Sequence, residues 1–281
     1  MLLGMRIDFL KMQGLGNDFF VFDAPDVAGS RLDENRLRLL ADRRTGVGFD
    51  QALMLQAPRD KANRVFYRVF NADGTEVEQC GNGARCIAAL MYARAPAMGR
   101  EFTLESSGGL IQARIGSDGT VAVNMGVPNF SPQSLPMESS GEALRYALHL
   151  PEEDVTIGAV SIGNPHAVIE VTDVDNAPVA RIGPLIESHP RFANRTNVGF
   201  MQVIDRGHIR LRVFERGVGE TRACGTGACG AVAVGRRQGL LDGEVRVDLR
   251  GGTARVAWPS AGEPIWLTGP ATTVFTGTID I

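Results

Sequence analysis

The chain has 281 residues, of which 44% are hydrophobic and 22% charged, the composition of a globular protein with room for two domains that each bury a core. With 29 Lys and Arg against 32 Asp and Glu, a net charge of −3 and no basic cluster, it offers nothing to attract a nucleic acid or an anionic membrane. No apolar run approaches the roughly 18 residues of a membrane span, and Met1 to Arg6 lacks the basic-then-apolar layout of a signal peptide; a cytoplasmic location is expected, with Met5 as an alternative start.

In chain order, Asp18 to Phe22 reads as a strand, Glu34 to Arg43 as a helix, and Arg64 to Phe70 as an alternating strand. The turn Cys80-Gly81-Asn82-Gly83-Ala84 then opens an Ala-rich helix over Asn82 to Arg94. Gly109 to Asn124, with Asp118-Gly119 at its middle, reads as a hairpin. The Pro/Ser-rich stretch Pro128 to Gly141 follows, either a flexible connection or an ordered loop opening a second domain. Beyond it come a helix over Ala177 to Ser188, a strand over His208 to Phe214, the turn Cys224-Gly225-Thr226-Gly227-Ala228, and a helix over Thr226 to Gln238.

The two cysteine turns stand 144 positions apart, and the repeat extends beyond them. Gly16-Asn17 returns as Gly163-Asn164, Val47 to Gln51 as Val198 to Gln202, Phe70-Asn71 as Phe214-Glu215, and Gly108-Gly109 as Gly251-Gly252, with a looser echo of Met125 to Pro128 in Thr268 to Pro270. Landmarks in the same order at nearly constant offset imply an internal duplication of about 140 residues, a length that makes a pair of domains rather than a solenoid. The boundary falls near residue 125, giving halves of 1–125 and 126–269.

Each half therefore delivers a strand, a polar loop, a cysteine, a glycine-permitted turn and a helix. A cysteine at a helix N-terminus faces unsatisfied N–H groups and the positive end of the dipole, an arrangement expected to favour the thiolate, and the same amides can bind a carboxylate. Two equivalent thiols suit inversion of a stereocentre, in which one takes a proton while the other gives one; a hydrolase or transferase needs one nucleophile with an asymmetric partner. None of His149, His166, His189 or His208 lies beside either cysteine in sequence, although His166 sits in a turn that can approach the site.

Four cysteines are too few for a disulfide framework, and a reducing compartment keeps them as thiols. The spacings of Cys80 to Cys86 and Cys224 to Cys229 put each pair on different helix faces, which argues against a metal site; Cys86 and Cys229 read as small buried apolar residues. A thiol redox sensor is the alternative from another class, and a duplicated carboxylate cradle weighs against it.

Four runs carry a family resemblance: Lys11 to Phe19 (KMQGLGNDF), Phe70 to Glu76 leading to Cys80-Gly81-Asn82-Gly83-Ala84-Arg85-Cys86, Gly163-Asn164-Pro165-His166, and Glu215 to Thr221 leading to Cys224-Gly225-Thr226-Gly227. Together they resemble diaminopimelate epimerase from about residue 6 to the C-terminus; proline racemase and relaxed-specificity amino-acid racemases share the two-thiol logic with different motif surroundings. The resemblance implies an isomerase, independent of pyridoxal phosphate or any other cofactor, that interconverts LL- and meso-2,6-diaminopimelate in lysine and peptidoglycan-precursor synthesis. It implies an α/β (α+β) fold of two pseudo-symmetric domains, each a β-barrel-like sheet around a central helix, with the strand 270–281 returning to the first domain, the active site between the halves, and a possible homodimer. Carried over by position, Cys80 and Cys224 are the acid/base pair. Asn17, Gln51, Asn71, Gly81, Asn82, Asn164, Asn197, Glu215, Arg216, Gly225 and Thr226 bind substrate, and His166 and Glu215 support catalysis.

Overall fold

The computed structural model describes residues 6–23, 33–78, 80–139 and 141–280; the alternative starts Met1 and Met5 and the final residue Ile281 lie outside them. The chain divides into two compact units, one of residues 1–123 with 269–281 and the other of residues 124–268.

The first unit is built on strands β1 (Arg6–Gly14), β2 (Asn17–Asp23), β3 (Gln51–Gln56), β4 (Phe66–Asn71), β5 (Glu76–Val77), β6 (Glu101–Ser106), β7 (Gly109–Ile115) and β8 (Val121–Asn124), with helices α1 (Glu34–Ala41) and α2 (Gly81–Arg94). β1 and β2 form an antiparallel hairpin whose connecting Leu15 and Gly16 both have positive φ, 58° and 79°, the geometry of a two-residue primed turn. Leu15 is 4% exposed, so burial offsets the cost of the left-handed conformation. β2 runs parallel to β3, β3 antiparallel to β4, β4 parallel to β6, and β6, β7 and β8 follow antiparallel. A last strand, Thr272–Asp280, pairs antiparallel with the free side of β1.

The second unit repeats this pattern. It has β9 (Tyr146–His149), β10 (Asp154–Ser161), β11 (Pro165–Glu170), β12 (Asn197–Asp205), β13 (His208–Glu215), β14 (Gly219–Thr221), β15 (Glu244–Leu249), β16 (Gly252–Ala257) and β17 (Trp266–Gly269), with α3 (Val179–Glu187) and α4 (Gly225–Arg237). From β10 to β17 the pairings are antiparallel, parallel, antiparallel, parallel, antiparallel and antiparallel, the same series as from β1 to β8. The last strand is β18 (Thr272–Asp280).

The central strands are apolar on both faces because both are covered. Phe20, Phe22, Ala52, Met54 and Phe70 point one way and cluster with Leu37, Leu40 and Ala41 of α1. Phe19, Val21, Leu53 and Val69 point the other way and have no exposure. α2 packs against β1 and β7, and its residues Gly81 to Ala88 are all buried, as befits a central helix lined with Ala and Gly rather than a surface helix with one apolar stripe. α4 has the same character and packs against β10, β11, β12 and β16. The segment Pro128 to Gly141 is ordered into the second unit where described: Asn129 bridges to Ser161, and Leu135 and Met137 join the core that α3 covers.

Candidate active site

Cys80 and Cys224 are the N-caps of α2 and α4. Both have extended backbones, with φ/ψ of −141°/114° and −113°/112°, and both sulfurs accept from the amide three residues on: Gly83 N–H at 3.4 Å and Gly227 N–H at 3.3 Å. Gly81 and Asn82, and likewise Gly225 and Thr226, supply first-turn amides, which have no carbonyl within their own helix to bond.

In the first unit the remaining polar groups arrive from strand ends. Asn17 opens β2, and its Oδ1 receives Asn82 Nδ2 at 3.2 Å and the Cys80 thiol at 3.8 Å. Its Nδ2 donates to Asp50 Oδ2 at 3.0 Å. Asp50 is in turn paired with Arg43, which also holds Asp18; burial of Asp18 opposes ionisation, yet Arg43 and Lys11 keep its carboxyl well below the usual range. Gln51 and Asn71 are directly opposed in the β3/β4 register, and Gln51 Nε2 donates to Asn71 Oδ1 at 3.0 Å. Gln51 Oε1 is buried with no hydrogen-bond partner among the described residues, an acceptor available to a bound donor.

In the second unit Asn164 follows Gly163, whose φ is 83°, at the β10/β11 turn, and donates from Nδ2 to Thr226 Oγ1 at 3.4 Å. His166 Nε2 lies 2.9 Å from Asn164 Oδ1; a carbonyl oxygen only accepts, so the proton is on Nε2. Burial, aided by the charge of Arg216, lowers the His166 pKa to about 3, and the ring is neutral at physiological pH. It lies against α4 at Gly230, where an added Cβ would stand 3.1 Å from His166 Cβ. Asn197, register partner of His166 in the parallel β11/β12 pair, donates to Pro165 O at 2.9 Å and accepts from Arg216 N–H at 3.1 Å. The Arg216 side chain is exposed and donates to Asn194 O at 3.0 Å. Glu215 Oε1 accepts from Thr221 Oγ1, and the Glu215 carboxylate also acts on Cys224.

The second thiol departs from the expectation that a helix N-terminus favours the thiolate. Burial pushes the Cys224 pKa well above the ordinary thiol value and the Glu215 carboxylate adds to the push, while hydrogen bonds from Thr226 and Gly227 oppose it. The amides of a helix end are visible in the spacing, whereas dehydration is not, and it is the larger effect at Cys224, a residue with 4% exposure. Cys86 and Cys229 are fully buried, as read from sequence, and burial drives the Cys86 thiol up to about 12.

All of the sequence-predicted residues of the first half gather within that unit, and those of the second half within the other. Of the remaining histidines, His149 pairs with Asp154 and His208 with Asp248, both within strand pairs. Sequence reasoning missed Asp50, which orients Asn17, and Thr221, which holds Glu215. The match of Val47–Gln51 to Val198–Gln202 read from the sequence is not a structural equivalence: Phe19 is paired with Gln51 and His166 with Asn197, so Asn197 rather than Gln202 is the counterpart of Gln51.

A family model described as Diaminopimelate epimerase matches residues 9–131 and 158–274. The chain is 54% identical to a diaminopimelate epimerase of Thioalkalivibrio sulfidiphilus over 279 residues, covering 99% of this chain and 100% of the relative, and 50% identical to one of Nitrosomonas europaea over 277 residues with the same coverage. Among solved structures, a hydroxyproline epimerase from Agrobacterium vitis superimposes with a TM-score of 0.68 at 14% identity, over 98% of this chain and 93% of that one. A Bacillus anthracis protein of the PhzF phenazine-biosynthesis family gives 0.66 at 18%, over 99% and 100%. At such low identities these two structures speak for the shared α/β architecture of two pseudo-symmetric domains.

Proposed function

This chain belongs to the diaminopimelate epimerase family, and on that premise we propose that it interconverts LL- and meso-2,6-diaminopimelate by a two-base mechanism with no cofactor, in lysine and peptidoglycan-precursor synthesis. The observation that carries the proposal is the pair of cysteines capping equivalent buried helices. In each direction one sulfur, as thiolate, removes the α-proton, and the other, as thiol, returns a proton to the opposite face of the same carbon. The first-turn amides of Gly81 and Asn82 and of Gly225 and Thr226 receive the α-carboxylate, as helix N-termini receive anions.

The α-proton is far less acidic than a thiol, so the barrier falls through positioning, exclusion of water and donors aimed at the developing charge. The buried Oε1 of Gln51 and the carbonyls of Asn71 and Asn17 are acceptors suited to an ammonium, and the Arg216 guanidinium suits the distal carboxylate. Asn164 and Asn197 line the second half of the binding set. An α-ammonium placed beside Glu215 neutralises the carboxylate that raises the Cys224 pKa, so binding itself prepares that sulfur to ionise. His166, neutral, does not shuttle protons and instead fixes the Asn164 amide. The same reading places the enzyme in the cytoplasm as a homodimer, the latter to be checked by light scattering; among the described residues no helix is long and apolar enough to cross a membrane.

The test is incubation of reduced protein with LL-diaminopimelate in deuterated water without pyridoxal phosphate. Meso isomer carrying one solvent deuterium at the inverted carbon is expected. Free thiols with neither conversion nor exchange would overturn the reading.

A further inference from the structure

The first unit buries a full positive charge behind its cysteine. Among the described residues Arg85 is the largest fully buried side chain, with 0% exposure. Its Nη2 donates to Asn82 Oδ1 at 2.8 Å, and its Nη1 donates to Gly81 O at 3.4 Å. Two glycines wall the guanidinium: a Cβ on Gly14 would stand 3.2 Å from Nη2, and one on Gly269 3.2 Å from Nε. The equivalent position of α4, five residues after the cysteine, is Cys229, so the duplicated scaffold carries this cation in one half.

A guanidinium has donors only, and a carboxylate has acceptors only. Arg85 therefore requires Asn82 to turn Oδ1 toward it, which leaves Nδ2 for Asn17 Oδ1 at 3.2 Å. At the other end Asp50 requires Asn17 to present Nδ2, at 3.0 Å. Fixed at both ends, the chain from Arg85 through Asn82 and Asn17 to Asp50 has a single polarity. Neither amide can flip without breaking a charge-assisted hydrogen bond, and the group facing Cys80 Sγ is the Asn17 carbonyl.

We propose that Arg85 is a positioning residue for Cys80, acting through Asn82 to hold the Asn17 carbonyl against the thiol while its charge favours ionisation of the same sulfur. Tyr67 and Cys86 interact electrostatically with Cys80, and both are buried and neutral at physiological pH.

The proposal rests on the epimerase reading, and the experiment separates the two. Iodoacetamide alkylation of Cys80 and Cys224 is followed by peptide mass spectrometry at one fixed pH, alongside kcat/KM for epimerisation, in wild type, Arg85→Met, Arg85→Lys, Asn82→Ala and both double variants with Asn82→Ala. Arg85→Met is expected to slow Cys80 alkylation about fivefold or more and leave Cys224 within twofold, whereas Arg85→Lys, which keeps the charge, stays near wild type in alkylation and loses kcat/KM about threefold or more. Because Arg85 orients Asn17 through Asn82, Arg85→Lys is expected to add less than twofold to the loss in kcat/KM already caused by Asn82→Ala.

A folded Arg85→Met whose Cys80 to Cys224 alkylation ratio matches wild type overturns the proposal, as do fully multiplicative effects in the Arg85→Lys/Asn82→Ala variant. Should Arg85→Met fail to fold, the Arg85→Lys cycle decides. Should Asn82→Ala lose measurable turnover, wild-type kcat/KM in Arg85→Lys overturns the orienting role. A wild-type enzyme that does not epimerise removes the functional reading alone, since the alkylation ratio still reads the contact.

Discussion

Asn17 and Asn164 stand at equivalent hairpin turns but offer opposite ends of their amides to the helix beside them: Asn17 accepts from Asn82 Nδ2 at 3.2 Å, and Asn164 donates to Thr226 Oγ1 at 3.4 Å. Asn82 and Thr226 are each two residues past their cysteine. What differs is the anchor: Asp50 takes the donor end of Asn17, and His166 takes the acceptor end of Asn164. Near-symmetric backbones thus hold two thiols in unequal surroundings, one against an amide carbonyl and the other against a hydroxyl and a carboxylate.

Replacing Asn17 by Asp should therefore do more harm than its size suggests. The new carboxylate would face Asp50 Oδ2 across the 3.0 Å now spanned by a hydrogen bond. Loss of one bond with like charges apposed is expected to cost about 2–3 kcal/mol in transition-state stabilisation, or roughly 30- to 150-fold in kcat/KM, measured by steady-state kinetics. Turnover within threefold of wild type would mean that the amide polarity of Asn17 is unimportant.

Glu215→Gln should make Cys224 easier to ionise. Burial is the larger cause of the raised pKa and persists in the variant, while the carboxylate's contribution is removed. The midpoint for alkylation of Cys224 is expected to move to lower pH but to stay above that of an exposed thiol. A midpoint that stays put or rises would show that Glu215 does not act on this sulfur.

His166→Phe separates packing from hydrogen bonding. Phe19 occupies the corresponding place of the first half, so the sheet accommodates an aromatic ring there, yet Phe cannot hold Asn164 Oδ1. The expected result is a melting temperature within a few degrees of wild type and a loss of about tenfold in kcat/KM. With the wild-type imidazole titrating at about 3, the pH profile between 5 and 8 should keep its shape in the variant. A limb near pH 6.5 that vanishes in His166→Phe would assign the imidazole a proton-transfer role.

Alkaline pH should destabilise the fold. Cys86 is raised from 9.0 to about 12, and Cys224 is raised as well. Between the unfolded and folded values the unfolded chain has lost a proton that the native state retains. The stability that these thiols contribute is therefore complete below about pH 9 and falls as pH rises toward 12. Each thiol contributes a slope of about 1.4 kcal/mol per pH unit. Urea denaturation from pH 8 to 10.5 checks this, and Cys86→Ala should flatten the decline by one such share. An unchanged slope in that variant would remove Cys86 from the account.

The elements carrying the chemistry were legible in the sequence because their signals are local. A cysteine, a glycine turn and an Ala-rich run specify a capped helix within fifteen residues, and α2 and α4 form where those signals stand, one residue earlier than read. The hairpin around Asp118-Gly119 and the strand from His208 likewise rest on turn chemistry and alternation. β1 carries Lys11 and Gln13 within its apolar pattern, and what buries Lys11 is its pairing with Asp18 and its bond to Gly48 O, contacts that only the tertiary structure supplies. Arg85 was legible as part of a motif and illegible as a buried cation, because nothing in a helical spacing tells which side chains solvent reaches.

The amino-acid order by itself determined the duplication, the two capped cysteines and the family, since each depends on residue identity and spacing along the chain. The tertiary structure decided the rest. Pairing of β1 with Thr272–Asp280, the parallel joins within each unit and the contact of Asp50 with Asn17 all link residues far apart in the chain, where register is set by packing rather than by local propensity. The unequal ionisation of the thiols belongs to the same class, because a pKa answers to the water excluded and the charges gathered around a sulfur in three dimensions.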